Sequence, residues 1–137
     1  MSEDARPTIY PFLRYEDAPA ALDWLERVFG FRKTMEVPGP NGTIAHAQMS
    51  FGTGVIMLGS ARAGTSGHEP DDALAARHGI YVAVDDADAH CECAKAAGAQ
   101  LTRELEDTDY GSREYSARDL EGYHWSFGTY RPGLDEA

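Results

Sequence analysis

The sequence predicts an α+β fold made of two βαβββ modules, and three observations carry that prediction. The chain repeats one order of elements twice: strand, Asp-capped helix, glycine stop, strand, turn, strand, turn, strand. The interval from helix cap to glycine is nearly the same in both copies, Asp17 to Gly30 and Asp86 to Gly98. A stretch from Ser60 to His78 with almost no periodicity separates the copies. Each copy alone offers a small sheet with one helix, too little to bury a stable core. Two copies in one chain can form a curved mixed sheet with helices outside and a concave face within. The expected division is a single domain over 1–137, with module one at about 8–60, a linker at about 61–78 and module two at about 79–131.

In module one, Ile9 to Tyr15 reads as a strand, with Pro11 suited to an edge or bulge. Asp17 has helix-cap chemistry and Pro19 fits the first turn. Leu22, Leu25, Val28 and Phe29 repeat at the spacing of one helical face, and Gly30 ends the helix. Strand-like residues follow Phe31 through Val37, and Pro38-Gly39-Pro40-Asn41-Gly42 is a turn. Ile44 to Phe51 is a strand, joined across Gly52-Thr53-Gly54 to a returning strand at Val55 to Leu58. The glycines at 52 and 54 lie between strands and open no helix, so they form no nucleotide-binding loop.

Module two repeats this. Ile80 to Val84 is a strand, Asp86 caps a helix over Ala87 to Ala97, and Leu101 to Leu105 is a strand. After the turn Asp107 to Gly111, strands at Arg113 to Arg118 and His124 to Tyr130 flank the turn Asp119-Leu120-Glu121-Gly122. Strand parity sorts the side chains, because alternate residues share a face. Leu13, Tyr15, Ala47, Met49, Trp125 and Phe127 belong to the more apolar sets and should meet the helices. Tyr10, Phe12, Arg14, His46, Gln48, Tyr81, His124 and Ser126 belong to the mixed sets and should line the cavity, with Tyr115 added as a further ring for stacking.

Bulk properties narrow the partners. The formal net charge is −11, which repels phosphate backbones and argues against nucleic acid. No apolar run reaches about 18 residues, so no membrane span is expected. The start, Met1-Ser2-Glu3-Asp4, lacks the basic and apolar character of an export signal. Cys91 and Cys93 stand two apart on a helix and point to different faces, so two reduced thiols in the cytoplasm are expected. His90-Cys91-Glu92 contains the H-x-E of zinc deaminases but lacks their P-C-x-x-C, and no G-x-S-x-G elbow exists.

Three stretches carry a family resemblance: Tyr10 to Ala18 with Trp24 and Phe29-Gly30-Phe31; Tyr81 to His90 with Ala97-Gly98-Ala99; and Asp119 to Gly128. The chain resembles the vicinal-oxygen-chelate superfamily: glyoxalase I, bleomycin-resistance proteins, fosfomycin-resistance enzymes and extradiol dioxygenases. Leu120 stands where that family usually has proline. The resemblance implies the glyoxalase/bleomycin-resistance fold and a homodimer. Sheet edges that need covering point the same way, with Pro11, Arg113 and Glu114 read as partial blunting of such edges. Metal-dependent members place ligands on four strands, and those places fall here on Tyr10, Gln48, Gly79 and Ser126. A transition metal needs three or four N, S or carboxylate donors, so no metal and no other cofactor is expected. His78 would reach the third place only if the strand slipped by one residue and turned Ile80, Val82 and Val84 into the cavity.

The resulting reading is a metal-free small-molecule-binding protein of the bleomycin-resistance type, sequestering an aromatic or cationic ligand. The rival reading is a glyoxalase-like lyase or isomerase, with an atypical metal site or metal-free acid–base chemistry on His46, Gln48 and His124.

Overall fold

A computed structural model of the chain describes residues 7, 9–61 and 79–132. The described residues fall into two compact units, one per module. In module one, β1 (Phe12–Tyr15) leads into α1 (Ala18–Trp24), and β2 (Arg32–Pro38), β3 (Ile44–Phe51) and β4 (Gly54–Ser60) complete a sheet in the order β1-β4-β3-β2. In module two, β5 (Ile80–Ala83), α2 (Ala87–Ala96), β6 (Gln100–Asp107), β7 (Arg113–Arg118) and β8 (His124–Gly128) build a sheet in the order β5-β8-β7-β6. In each sheet the first strand runs parallel to the last, and the other pairs are antiparallel. The predicted βαβββ repeat is therefore present in both halves. The linker and His78 lie outside the described residues.

Local chemistry sets the helix starts. The Asp17 carboxylate accepts from the Ala20 N–H at 3.1 Å, and Asp86 accepts from the Ala89 N–H at 3.0 Å. Past Trp24 the first helix widens into a π-turn over Leu25–Phe29, where an uninterrupted α-helix was expected. The wider turn places Leu25, Val28 and Phe29 all in the core, and Gly30 closes it with φ 85°. No described helix is long and apolar enough to cross a membrane.

Parity holds on the helix side of both sheets. Leu13, Tyr15, Ala47, Met49, Ile56 and Leu58 are buried in module one, and Tyr115, Ala117, Trp125 and Phe127 in module two. Asp119 ties down the β7–β8 turn. One carboxylate oxygen accepts from the Glu121 and Tyr123 N–H groups at 3.0 and 3.1 Å, and the other accepts from the indole of buried Trp125 at 3.1 Å.

Two sequence-based expectations change. Tyr115 does not reach the ligand face. It is fully buried on the helix side, shares a 2.6 Å hydrogen bond with His90 Nδ1 and stacks on Phe127 at 5.2 Å. The reason is register: Tyr115 lies opposite Phe127, and cross-strand partners share a face. Arg113 and Glu114 do not blunt an edge, because β7 is an inner strand between β8 and β6.

Candidate functional site

Strand parity puts Phe12, Arg14, His46 and Gln48 of module one, and Tyr81, His124 and Ser126 of module two, on the face turned from the helix. In module one, Phe12 and Gln48 both lie opposite Met57, and Arg14 lies opposite Gly59. The Arg14 guanidinium stands 4.9 Å from the centre of the Phe12 ring and donates to the Ser60 carbonyl at 3.3 Å. The Gln48 amide donates to His46 Nε2 at 3.1 Å. A bulge in β2 brings Met35 opposite Gln48 and Val37 opposite His46. Tyr10 precedes β1 and is partly exposed. In module two, Tyr81 lies directly opposite Ser126, and His124 lies further along β8 opposite Arg118.

Module two also assembles a polar cluster that sequence reasoning missed. Glu114 is almost fully buried on the open face, where Arg103 donates to its Oε1 at 2.9 Å and the Tyr110 hydroxyl to its Oε2 at 2.9 Å. Arg103 also reaches Glu106 at 3.0 Å and Ser116 at 3.3 Å. The Ser116 and Ser126 hydroxyls share a 2.8 Å hydrogen bond. Register makes this cluster. Irregularities in β6 set Arg103 opposite Ser116 and Glu106 opposite Glu114, which strict alternation along 100–107 would not do. The available signal was the parity of β7. Once Tyr115 and Ala117 are core, Glu114 and Ser116 must face the other way.

Burial alone would raise the Glu114 carboxyl pKa, but hydrogen bonds from Arg103, Tyr110 and Ser112 outweigh it and hold it below the ordinary glutamate value. Donating to that carboxylate raises the Tyr110 phenol, and burial raises Tyr81. Glu114 therefore stays ionised and both phenols stay neutral near pH 7. A recess of about 500 Å³ opens beside the cluster, walled by Tyr81, Tyr110, Glu114, Ser126 and Tyr130 together with Gly79, Ile80 and Pro132. Its volume is in the range of small-molecule sites.

Three of the four places that the family resemblance gives to metal ligands do not suit one here. Gly79 has no side chain, the Ser126 hydroxyl is bonded to Ser116, and the Gln48 amide is turned to His46. Among the described residues no three His, Cys, Asp or Glu side chains group in a way that could hold a metal ion. Cys91 is buried, and that burial raises its thiol pKa; Cys93 is exposed, and neither forms a disulfide.

Comparison with known proteins agrees with the fold. The family model described as Glyoxalase/Bleomycin resistance protein/Dioxygenase superfamily matches residues 9–127. An uncharacterized protein from Mycobacterium tuberculosis is 30% identical over 131 residues, covering 93% of this chain and 77% of that one. Its counterpart from Mycobacterium bovis is also 30% identical, covering 93% and 86%. Among solved structures, TioX from Micromonospora sp. ML1 is 34% identical with a TM-score of 0.72, covering 94% of this chain and all of that one. A glyoxalase I variant from Zea mays shares the fold alone, at 16% identity and a TM-score of 0.68, covering 90% of this chain and 45% of that one.

Proposed function

Because the chain belongs to the glyoxalase/bleomycin resistance protein/dioxygenase superfamily, we propose that it binds a small aromatic or cationic molecule without a metal ion, in the manner of bleomycin-resistance proteins. The observation that carries this reading is the module-two recess, in which three tyrosines stand around an ionised carboxylate. Aromatic walls with few polar groups are what small-molecule sites use, and tyrosine rings attract both planar rings and cations. Phe12, Arg14, His46 and Gln48 supply a second ligand-facing surface on module one, more apolar because Met35, Val37 and Met57 share its face.

The reading includes a cytoplasmic homodimer. The sheets keep end strands at β1, β2, β5 and β6, and pairing of two copies would cover such edges.

A thermal-shift screen against planar aromatics and cationic glycopeptides tests the binding. A ligand at about 100 times its Kd should stabilise the fold by about 2.7 kcal/mol. No rise in Tm for any compound at high excess overturns the reading. Stoichiometric nickel, zinc, manganese or iron in untagged protein overturns its metal-free part and favours the lyase or isomerase. A monomer mass by light scattering at micromolar concentration overturns the dimer.

A further inference from the structure

The wall of the module-two recess is built from electron-rich groups, and two of its tyrosine hydroxyls already donate to protein acceptors. The Tyr110 hydroxyl donates to Glu114, and the Tyr81 hydroxyl donates to the Tyr130 carbonyl at 2.6 Å. The Ser116 and Ser126 hydroxyls bond each other. Tyr110 and Tyr130 meet edge to face at 5.8 Å between ring centres. Among the described residues Glu114 is the one charged side chain in the wall, and the guanidinium of Arg103 is not part of that wall. Arg103 also bonds Glu106, so two carboxylates against one guanidinium leave the cluster with a net negative charge.

The closure of this wall depends on Gly128. A Cβ there would lie 2.5 Å from Glu114 Cγ, 2.7 Å from the Tyr81 hydroxyl oxygen and 3.0 Å from Ser112 Oγ. Ser112 in turn accepts from the Tyr130 N–H at 3.1 Å. The missing side chain lets the carboxylate and Tyr81 lie against the strand. The recess is thus preorganised, with its rings and charge held before a ligand arrives.

We infer that this recess receives the positively charged head of an organic cation, an alkylated ammonium or an N-alkylated heteroaromatic ring, with Glu114 as counter-ion and Tyr81, Tyr110 and Tyr130 as the aromatic walls. This rests on the reading of the protein as a small-molecule binder and names the ligand chemistry of one of its surfaces. Alkylated cations suit the site because they ask for no hydrogen-bond acceptor of their own. They lose little hydration on entry and gain from ring quadrupoles and a nearby carboxylate. An anion would lie against the Glu114 carboxylate and the negative faces of the tyrosine rings.

The test uses a matched pair of probes, N-methylquinolinium and its neutral isostere 1-methylnaphthalene, titrated into the full chain with tyrosine NMR signals as the readout. The expected result is shifts at Tyr81, Tyr110 and Tyr130 and about tenfold tighter binding of the cation. Glu114→Gln should remove most of the cation's advantage and affect the cation several times more than the neutral probe, with the ring contribution left. Tyr110→Phe keeps the ring, frees a carboxylate oxygen and should preserve the preference. The wild-type comparison decides the matter even if Glu114→Gln folds poorly. Equal affinities for the two probes overturn the cation assignment while leaving aromatic binding standing. Shifts confined to module one overturn the location. Failure of both probes, beside a thermal-shift hit from another compound, overturns this inference and spares the broader one.

Discussion

The two modules solve one packing problem in different ways. In module one the helical segment shares in the bulk, with Leu22, Leu25, Val28 and Phe29 buried alongside Tyr15, Met49 and Leu58 of the sheet. In module two the helix is lean, burying Ala87, Cys91 and Ala94, and the sheet supplies bulk through Tyr115, Trp125 and Phe127. A core tolerates such exchange because the total filled volume matters more than which layer provides it. The open faces differ without any such compensation. At corresponding places in the two registers, Phe12, Met57, His46, Gln48 and Met35 stand where module two has Tyr81, Ser126, Glu114, Ser116 and Arg103. The two modules share a frame, and the face turned from the helix carries Phe12, Met35 and Met57 in one and a tyrosine-walled recess around Glu114 in the other.

The turn between the last two strands should break the symmetry most. Asp119→Ala removes an acceptor from three N–H groups, one of them the indole of a buried tryptophan, and is expected to cost about 3 kcal/mol in urea unfolding. Thr53→Ala at the corresponding turn of module one, where the residue is exposed, should stay within about 0.5 kcal/mol. Equal effects would show that the modules are stabilised alike at this turn.

The glycine pair comes next. Gly59 and Gly128 hold the same place in their sheets, opposite Arg14 and Ala83. A Cβ at Gly59 meets the Ala45 carbonyl oxygen at 3.1 Å, whereas one at Gly128 meets Glu114 at 2.5 Å. Gly128→Ala is expected to destabilise by about 2 kcal/mol and displace Glu114 and Tyr81, and Gly59→Ala by about 1 kcal/mol. Unchanged Tyr81 signals in Gly128→Ala would refute the part given to this glycine.

Smaller and symmetric effects are expected at the helix caps. Asp17→Ala and Asp86→Ala should each cost about 1 kcal/mol, because the two carboxylates cap with the same geometry. A difference larger than the effect itself would sharpen the comparison by showing that the π-turn has changed what the first helix needs.

The smallest effect concerns acid. The folded Glu114 pKa lies below the ordinary value of 4.5, so its contribution is fully present above that value and is lost as pH falls through the folded pKa. Arg103, Glu106 and Tyr110 surround it. Glu114→Gln should therefore show a shallower loss of stability below about pH 4.5 than the wild type. A parallel acid limb would mean that Glu114 titrates alike folded and unfolded.

Much of this architecture is legible along the chain. Asp17 and Asp86 before helical runs, glycines after them, and alternation in 44–51 and 113–118 locate elements that the structure reproduces, the last two with the same bounds. The parity that sends Leu13, Met49 and Trp125 inward, and Phe12, Gln48 and Ser126 to the other face, is equally local. These features depend on a residue's own backbone preference and on its near neighbours, so sequence determines them. Tertiary structure decided the rest. The irregular register of β6 sets Arg103 beside Glu114, the bulge in β2 sets Met35 beside Gln48, and the pairing of β7 with β8 sets Tyr115 opposite Phe127 in the core. Such outcomes depend on which strand lies alongside and where the pairing slips by one residue. A slip of one reverses the side on which every later side chain emerges, and no single strand records what its partner will do.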